Sequence, residues 1–237
     1  MNQHNFNRRQ AFLASAAVAM AGLPSAAQDE KKNKAKEPEV TATEDLMREH
    51  GVIRRALLVY HETVPLLRAK YASVDPAALY KTAQLFRRFG EDYHERMLEE
   101  THIFPMVRKL SGRAGKYPDV LEAQHRRGRE ITDYILGVTK GGRMDAAHAE
   151  PLAKAMEGLV HMYQHHAARE DTIVFPAWKN TMSAKQLDEI SDKFEEIEHR
   201  EFGKDGFEDA EKTVDGIEVR LGLSDISKFT PPTPPKL

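Results

Sequence analysis

Two segments of this chain carry the same chemical pattern. Tyr93-His94-Glu95-Arg96-Met97-Leu98-Glu99-Glu100-Thr101-His102-Ile103-Phe104-Pro105 and His165-His166-Ala167-Ala168-Arg169-Glu170-Asp171-Thr172-Ile173-Val174-Phe175-Pro176 each place an imidazole about one helical turn before a carboxylate and end in Phe-Pro. Aligned on that ending, Glu99 matches Glu170 and Glu100 matches Asp171. Residues four apart on a helix share a face and lie about 6 Å apart along its axis, so His166 and Glu170 can reach one metal ion. They fall on the stripe of Leu152, Met156, Leu159 and Ile173, which is predicted to face a core. Polar atoms pointed into apolar surroundings need a partner, and a metal ion between helices supplies one.

Single histidines occupy matching stripes elsewhere. His50 is in phase with Leu46, Ile53 and Leu57, and His125 with Leu121, Gly128, Thr132 and Ile135. An ordinary hydrogen bond would explain any one of these imidazoles. Four on four helices, two with repeated carboxylates, favour a metal centre. The second segment has a complication: Glu99 follows His94 by five residues, which in a regular helix turns it about 140° away. Either a one-residue π-bulge near Met97-Leu98 restores the phase, or the carboxylate is Glu95 or Glu100; the equal distance of Glu99 and Glu170 from Phe-Pro favours Glu99. Glu95 is a candidate additional ligand. Tyr93 and Tyr163 flank the same faces, where packing is their first explanation. His61 lies about 16 Å along the axis from His50 and is excluded from a compact site.

These residues require long helices to position them, and the rest of the chain supplies the signals. The 237 residues are 41% hydrophobic and 30% charged, enough for one substantial core, and include 11 His and no Cys. Disulfides, thiolate metal sites and cysteine nucleophiles are excluded. A formal net charge of −2 lacks the basic footprint of a nucleic-acid binder. The first helix is predicted to start at Thr43 and to kink or end near Pro65. The second begins at the capping acid Asp75 followed by Pro76 and runs to about residue 110; the third runs from Tyr117-Pro118-Asp119 to Gly141-Gly142. A fourth covers about 145–180. No useful strand-like alternation is present. The expected fold class is all-α: an up-down-up-down four-helix bundle over 43–180, with one or two extra C-terminal helices in 181–229 (about 183–202 and 206–221) and an extended Pro-rich tail at 230–237.

The N-terminus has a different character. Asn7-Arg8-Arg9-Gln10-Ala11-Phe12-Leu13 leads into an apolar run over 11–23 and then Pro24-Ser25-Ala26-Ala27-Gln28. Residues 1–27 are therefore expected to be a signal peptide of the twin-arginine kind, an ordinary Sec signal being the alternative, with export to the periplasm or beyond. Thirteen Ala-rich residues fall short of the ~20 needed to span a bilayer, so no permanent membrane anchor is expected. Residues 28–42 are predicted to be a charged, solvated linker.

The whole set resembles the hemerythrin-like, or HHE cation-binding, family. The likeness covers about 43–180 and rests on His-Gly-Val-Ile-Arg-Arg at 50–55, the two His/Glu/Phe-Pro segments, and Gln124-His125-Arg126-Arg127-Gly128-Arg129. It implies a four-helix bundle with a non-heme, oxo- or hydroxo-bridged pair of iron ions held by His50, His94, Glu99, His125, His166 and Glu170. Nitrogen and oxygen ligands without thiolate suit iron, though residue type does not separate iron from manganese or zinc. Respiratory members carry a second His on the third helix where this chain has Arg129, which argues against a plain oxygen carrier. The implied function is binding or reduction of a small oxidant such as dioxygen, peroxide or nitric oxide. Reduction would need an external electron donor; the alternative is an iron storage or sensing bundle without catalysis.

Overall fold

A computed structural model describes residues 40–236. The expected signal peptide at 1–27 and most of the linker at 28–42 lie outside the described residues. Six helices account for most of the chain, and no strand occurs among the described residues.

Helix α1 spans Ala42–Ala69. It starts slightly before the expected Thr43, because Thr41-Ala42-Thr43-Glu44 forms a capping box: the Thr41 hydroxyl accepts from the Glu44 amide, and the Glu44 carboxylate accepts from Thr41 N–H at 2.7 Å. Pro65 does not end this helix. The backbone bond it removes falls at the carbonyl of His61, on the solvent side, while buried Val64 and Leu67 hold the last turns against the core.

Helix α2 is one rod in three segments: α-helical Pro76–Leu85, π-helical Phe86–Ile103 and α-helical Phe104–Val107. Its start is as expected, with Asp75 Oδ1 accepting from the amides of Ala77 and Ala78 at 3.0 and 3.1 Å. Its end falls before residue 110, in a turn leading to Gly112. Helix α3 spans Pro118–Val138 and buries Leu121, His125, Gly128, Thr132 and Ile135, the expected stripe. It stops short of Gly141 and Gly142, whose φ angles of 72° and 69° are left-handed and turn the chain. Helix α4 is again composite: Ala149–Arg169, π-helical Glu170–Val174 and Phe175–Lys179. A short turn at Ala146–His148, capped by Asp145, precedes it where the helix was expected to begin.

The widened backbone has a local cause at both Phe-Pro endings. Proline has no N–H, and its ring clashes with the carbonyl four residues back, here Thr101 or Thr172. The amides of Phe104 and Phe175 therefore bond five residues back, to the carbonyls of Glu99 and Glu170. The two threonines use their hydroxyls on carbonyls of the preceding turn, Thr101 on Arg96 and Thr172 on Ala168.

α1 lies along α4, and α2 packs against α3. Their shared core holds Tyr60, Tyr93, Phe86, Phe89, Phe104, Phe175 and Trp178, all fully buried. The extension is two helices, α5 (Ala184–Phe202), which starts from a Ser183/Gln186 capping box, and α6 (Gly206–Leu221). Both pack outside this core, α5 on α1 and α2, and α6 on the same pair. Residues 230–236 have no regular structure and are exposed.

Candidate metal centre

Four imidazoles and two carboxylates converge between α1 and α4, α2 and α3. His50, His94, Glu99, His125, His166 and Glu170 are each at most 3% exposed. The Nε2 atoms of the imidazoles point inward. Glu99 presents Oε1 to His94 Nε2 and Oε2 to His125 Nε2, both at 3.4 Å. Glu170 presents Oε2 to His50 Nε2 at 3.5 Å and Oε1 to His166 Nε2 at 3.0 Å. The rings of His50 and His94 lie 4.7 Å apart, those of His125 and His166 4.8 Å apart. There are thus two pairs of imidazoles with two carboxylates lying across them. Among the described residues, Glu99 belongs to two of the three groupings whose ligand atoms are close enough to share an ion: Glu99, His125, His166 and Glu170, and His50, His94 and Glu99.

The π-helical register resolves the five-residue spacing of His94 and Glu99. With bonds made five residues back, residues five apart stand nearly above one another. Glu99 therefore shares a face with His94, and both are buried.

Every imidazole is held from its other side. His50 donates its Nδ1 proton to Asp171 (2.6 Å), His94 to Glu49 (2.7 Å), His125 to Glu100 (2.9 Å) and His166 to the side-chain oxygen of Gln124 (2.9 Å). Acceptor oxygens at Nδ1 place the remaining lone pair on Nε2, the nitrogen that faces the centre. The arrangement has an approximate two-fold logic. In α1 and α3 the residue before the His, Glu49 or Gln124, orients an imidazole on another helix. In α2 and α4 the residue after the inward Glu, Glu100 or Asp171, orients the imidazole of α3 or α1. An arginine one turn after each of those two histidines pairs with the same carboxylate, Arg54 with Asp171 and Arg129 with Glu100. Phe175 stacks on His50 and Phe104 on His125. The symmetry is broken at Glu49 and Gln124, where a carboxylate stands opposite an amide.

The inner atoms have a deficit that a cation would remove. Among the described residues, His94 Nε2 and both carboxylate oxygens of Glu99 and of Glu170 are buried without a hydrogen-bond partner, an expensive condition in a low-dielectric interior. Protons are the competing occupants. Burial opposes charge on His125, but Glu95, Glu100 and Glu99 outweigh it and raise the imidazole to about 10. Burial is likewise outweighed at His94, raised by Glu99 and Glu49, and at His50, raised by Asp171 and Glu170. Burial would raise the Glu170 carboxyl, yet His166 and His50 hold it well below its ordinary value. The donor set, all imidazole and carboxylate, fits first-row metal ions.

The Hemerythrin HHE cation binding domain profile matches residues 41–178. This chain belongs to the hemerythrin HHE cation-binding family. The match begins at the Thr41 cap, ends at Trp178, and contains all six inward residues together with Glu49, Glu100, Gln124 and Asp171. Uncharacterized proteins of Mycobacterium bovis and Mycobacterium tuberculosis are each 45% identical over 196 residues, covering 81% of this chain and 74% of theirs. That alignment is longer than the domain match, so the likeness extends beyond the HHE domain. No solved structure matches the chain significantly.

Within this HHE protein, Glu95 does not face the inner group. It accepts a hydrogen bond from the Tyr163 hydroxyl at 2.5 Å, lies 3.2 Å from Arg129, and stands 3.9 Å from His125 Nδ1, the outward nitrogen. Glu95, Glu100 and His125 form a third possible cation cluster, but the Arg129 guanidinium already supplies positive charge there, 2.5 Å from Glu100. Arg129 therefore secures the outer partners of His125. Tyr93 and Tyr163 both donate to carboxylates, Glu49 and Glu95, rather than into the centre. His61, His161 and His165 are exposed.

Sequence reasoning matched Glu100 with Asp171 and weighed Glu100 as an alternative ligand, but it assigned no orienting role to Glu49, Glu100, Gln124 or Asp171. One usable signal was present, the repeated acid after each inward Glu.

Gly128 makes room for the Tyr163 hydroxyl: a Cβ there would stand 2.3 Å from that oxygen. Gly128→Ala gains about 1 kcal/mol of helix propensity. It loses more, since overpacking costs about 1–3 kcal/mol and the displaced bond to a charged acceptor about 1.5–3 kcal/mol. The expected result in chemical denaturation is net destabilisation by about 1.5–5 kcal/mol. Gly137→Ala on the same helix meets nothing within 4 Å and should stabilise by about 0.5–1 kcal/mol. A stabilised Gly128→Ala would refute the contact.

Proposed function

We propose that this protein is an exported dinuclear iron protein that binds or reduces a small oxidant, of the class of dioxygen, peroxide or nitric oxide. His50, His94, Glu99, His125, His166 and Glu170 hold the two ions, with α1–α4 running in up-down-up-down order. The observation that carries this reading is the way each inward carboxylate divides its two oxygens between imidazoles of different pairs, His94 and His125 for Glu99, His50 and His166 for Glu170. When bound, an iron pair supplies one-electron redox steps and coordination positions open to an outside ligand.

The chain's own residues set the conditions for that chemistry. Asp171, Glu49, Glu100 and Gln124 keep each Nε2 available. Phe104 and Phe175 close the outer faces of His125 and His50, and Leu152, Met156 and Leu159 exclude water from α4's inner stripe. Support for export is the Arg8-Arg9 pair before the apolar run at 11–23; no described helix is long and apolar enough to cross a membrane. Replacing both arginines by Lys should leave unprocessed precursor in the cytoplasm.

Anaerobic addition of ferrous iron, followed by metal counting and visible spectra before and after air, tests the centre. About two irons per chain and a new visible band on aeration are expected. Reversal under argon indicates binding, and a stable ferric product indicates reduction. Iron uptake with no response to air would instead support storage or sensing. His166→Ala should lower the iron count and His61→Ala should not; equal loss in both would remove the proposed ligand set.

A further inference from the structure

On the outer side of α2, where the α5–α6 turn packs against it, lies a groove of about 700 Å³. That size is typical of small-molecule sites. Its walls include Phe202, half-buried above the buried Phe89, and the cations Lys81, Arg88, Lys204 and Lys212, against one acid, Asp209. Lys204 is paired with Asp209 and Lys212 with Glu208, in exposed ion pairs worth little. Lys81 and Arg88 are exposed and have no carboxylate within ion-pair distance among the described residues. The Arg88 guanidinium lies 5.0 Å from the centre of the Phe202 ring. This is a concentration of positive charge beside aromatic surface on a chain whose net charge is −2.

The groove is also joined to the proposed metal centre. Phe202 meets Tyr93 edge-on, with ring centroids 5.2 Å apart. Tyr93 donates to Glu49 at 3.1 Å, Glu49 accepts from His94 Nδ1 at 2.7 Å, and His94 Nε2 faces inward.

We propose that this groove binds a planar aromatic molecule carrying phosphate, of the flavin mononucleotide or nucleotide class, with its ring over the Arg88 guanidinium that lies on Phe202 and its phosphate at Lys81. A guanidinium plane stacks on aromatic rings, and ammonium groups recognise phosphate. The groove's connection to His94 gives such a molecule a role at the centre, and that role rests on the function proposed above; the binding itself does not require the metal. A site of this kind fits the external electron donor that oxidant reduction needs.

Fluorescence titration of the full chain with flavin mononucleotide, with and without iron, tests the site. Saturable binding that weakens with added salt is expected. Riboflavin, which lacks the phosphate, should bind at least about tenfold more weakly, and so should flavin mononucleotide to the doubly charge-reversed Lys81→Glu/Arg88→Glu chain. Both positions are exposed, and an unchanged circular-dichroism melt separates loss of binding from loss of fold. Adenosine monophosphate as competitor distinguishes the two ligand classes: displacement marks a nucleotide site, and no displacement a flavin-selective one. No saturation up to about 1 mM, equal affinity for riboflavin, or an unaffected double variant would each overturn the proposal. Because the iron-free chain is titrated alongside, failure of metal loading and failure of this site give different results.

Discussion

Glu170→Ala should empty both halves of the centre, whereas His166→Ala should first weaken one. The Glu170 carboxylate faces His50 with one oxygen and His166 with the other, so a single substitution removes a ligand atom from each proposed ion. Glu99→Ala should behave in the same way, for the same reason, toward His94 and His125. Replacing groups that only orient a metal-bound imidazole typically lowers metal affinity by about 10–100-fold. Loss of a shared ligand should exceed that range, leaving well under about one ion per chain after dialysis. Metal counting on the purified variants checks this, with far-UV circular dichroism to establish that the helices persist. If either Glu variant retains two ions, the carboxylates do not bridge.

The second large effect is a reversal of the pH dependence of stability when metal is bound. In the metal-free chain, His125 is raised from 6.5 to about 10, and His50 and His94 are also raised. The stabilisation from these imidazolium–carboxylate contacts is complete below the unfolded value of about 6.5 and is lost as pH climbs through the folded values. Glu99 and Glu170 are depressed from 4.5, so their contribution is present above that value and lost as pH falls through the folded one. Metal-free protein should therefore be most stable between about 4.5 and 6.5 and should weaken toward about 10. Metal requires the neutral imidazole, so uptake releases protons and affinity rises over the same alkaline interval. Thermal melts across pH, with and without a chelator, should show opposite slopes above about 6.5. Calorimetry in buffers of different ionisation enthalpy counts the protons. Affinity that stays flat with no proton release would contradict the raised imidazoles.

The sequence by itself determined the helices and which histidines share their inner faces. The 3.6-residue period is local, and it put His50 beside Leu46 and Ile53, His125 beside Leu121 and Thr132, and His166 beside Met156 and Glu170 without knowledge of any neighbour. Asp75-Pro76 and Ser183 are likewise short-range signals, read from one turn of chain. The repeated Phe-Pro endings were enough to rank Glu99 above Glu100 and Glu95.

What only the tertiary structure decided concerns partners on different helices. Glu49 lies 45 residues from His94 and Asp171 lies 121 from His50, so no period within one helix can reveal that either orients that ring. Arg129 was read as a missing imidazole; packing shows it holding Glu100 and Glu95, because its long side chain reaches both carboxylates across from α3. The extent of π-helix in α2, well beyond the expected bulge at Met97-Leu98, also escaped local rules. The fate of Pro65 depended on whether His61 faced water. Helical phase decides which side of a helix meets the interior, but the polar atoms that meet there belong to distant segments. Their pairing is settled only when the helices pack and each buried donor must find an acceptor.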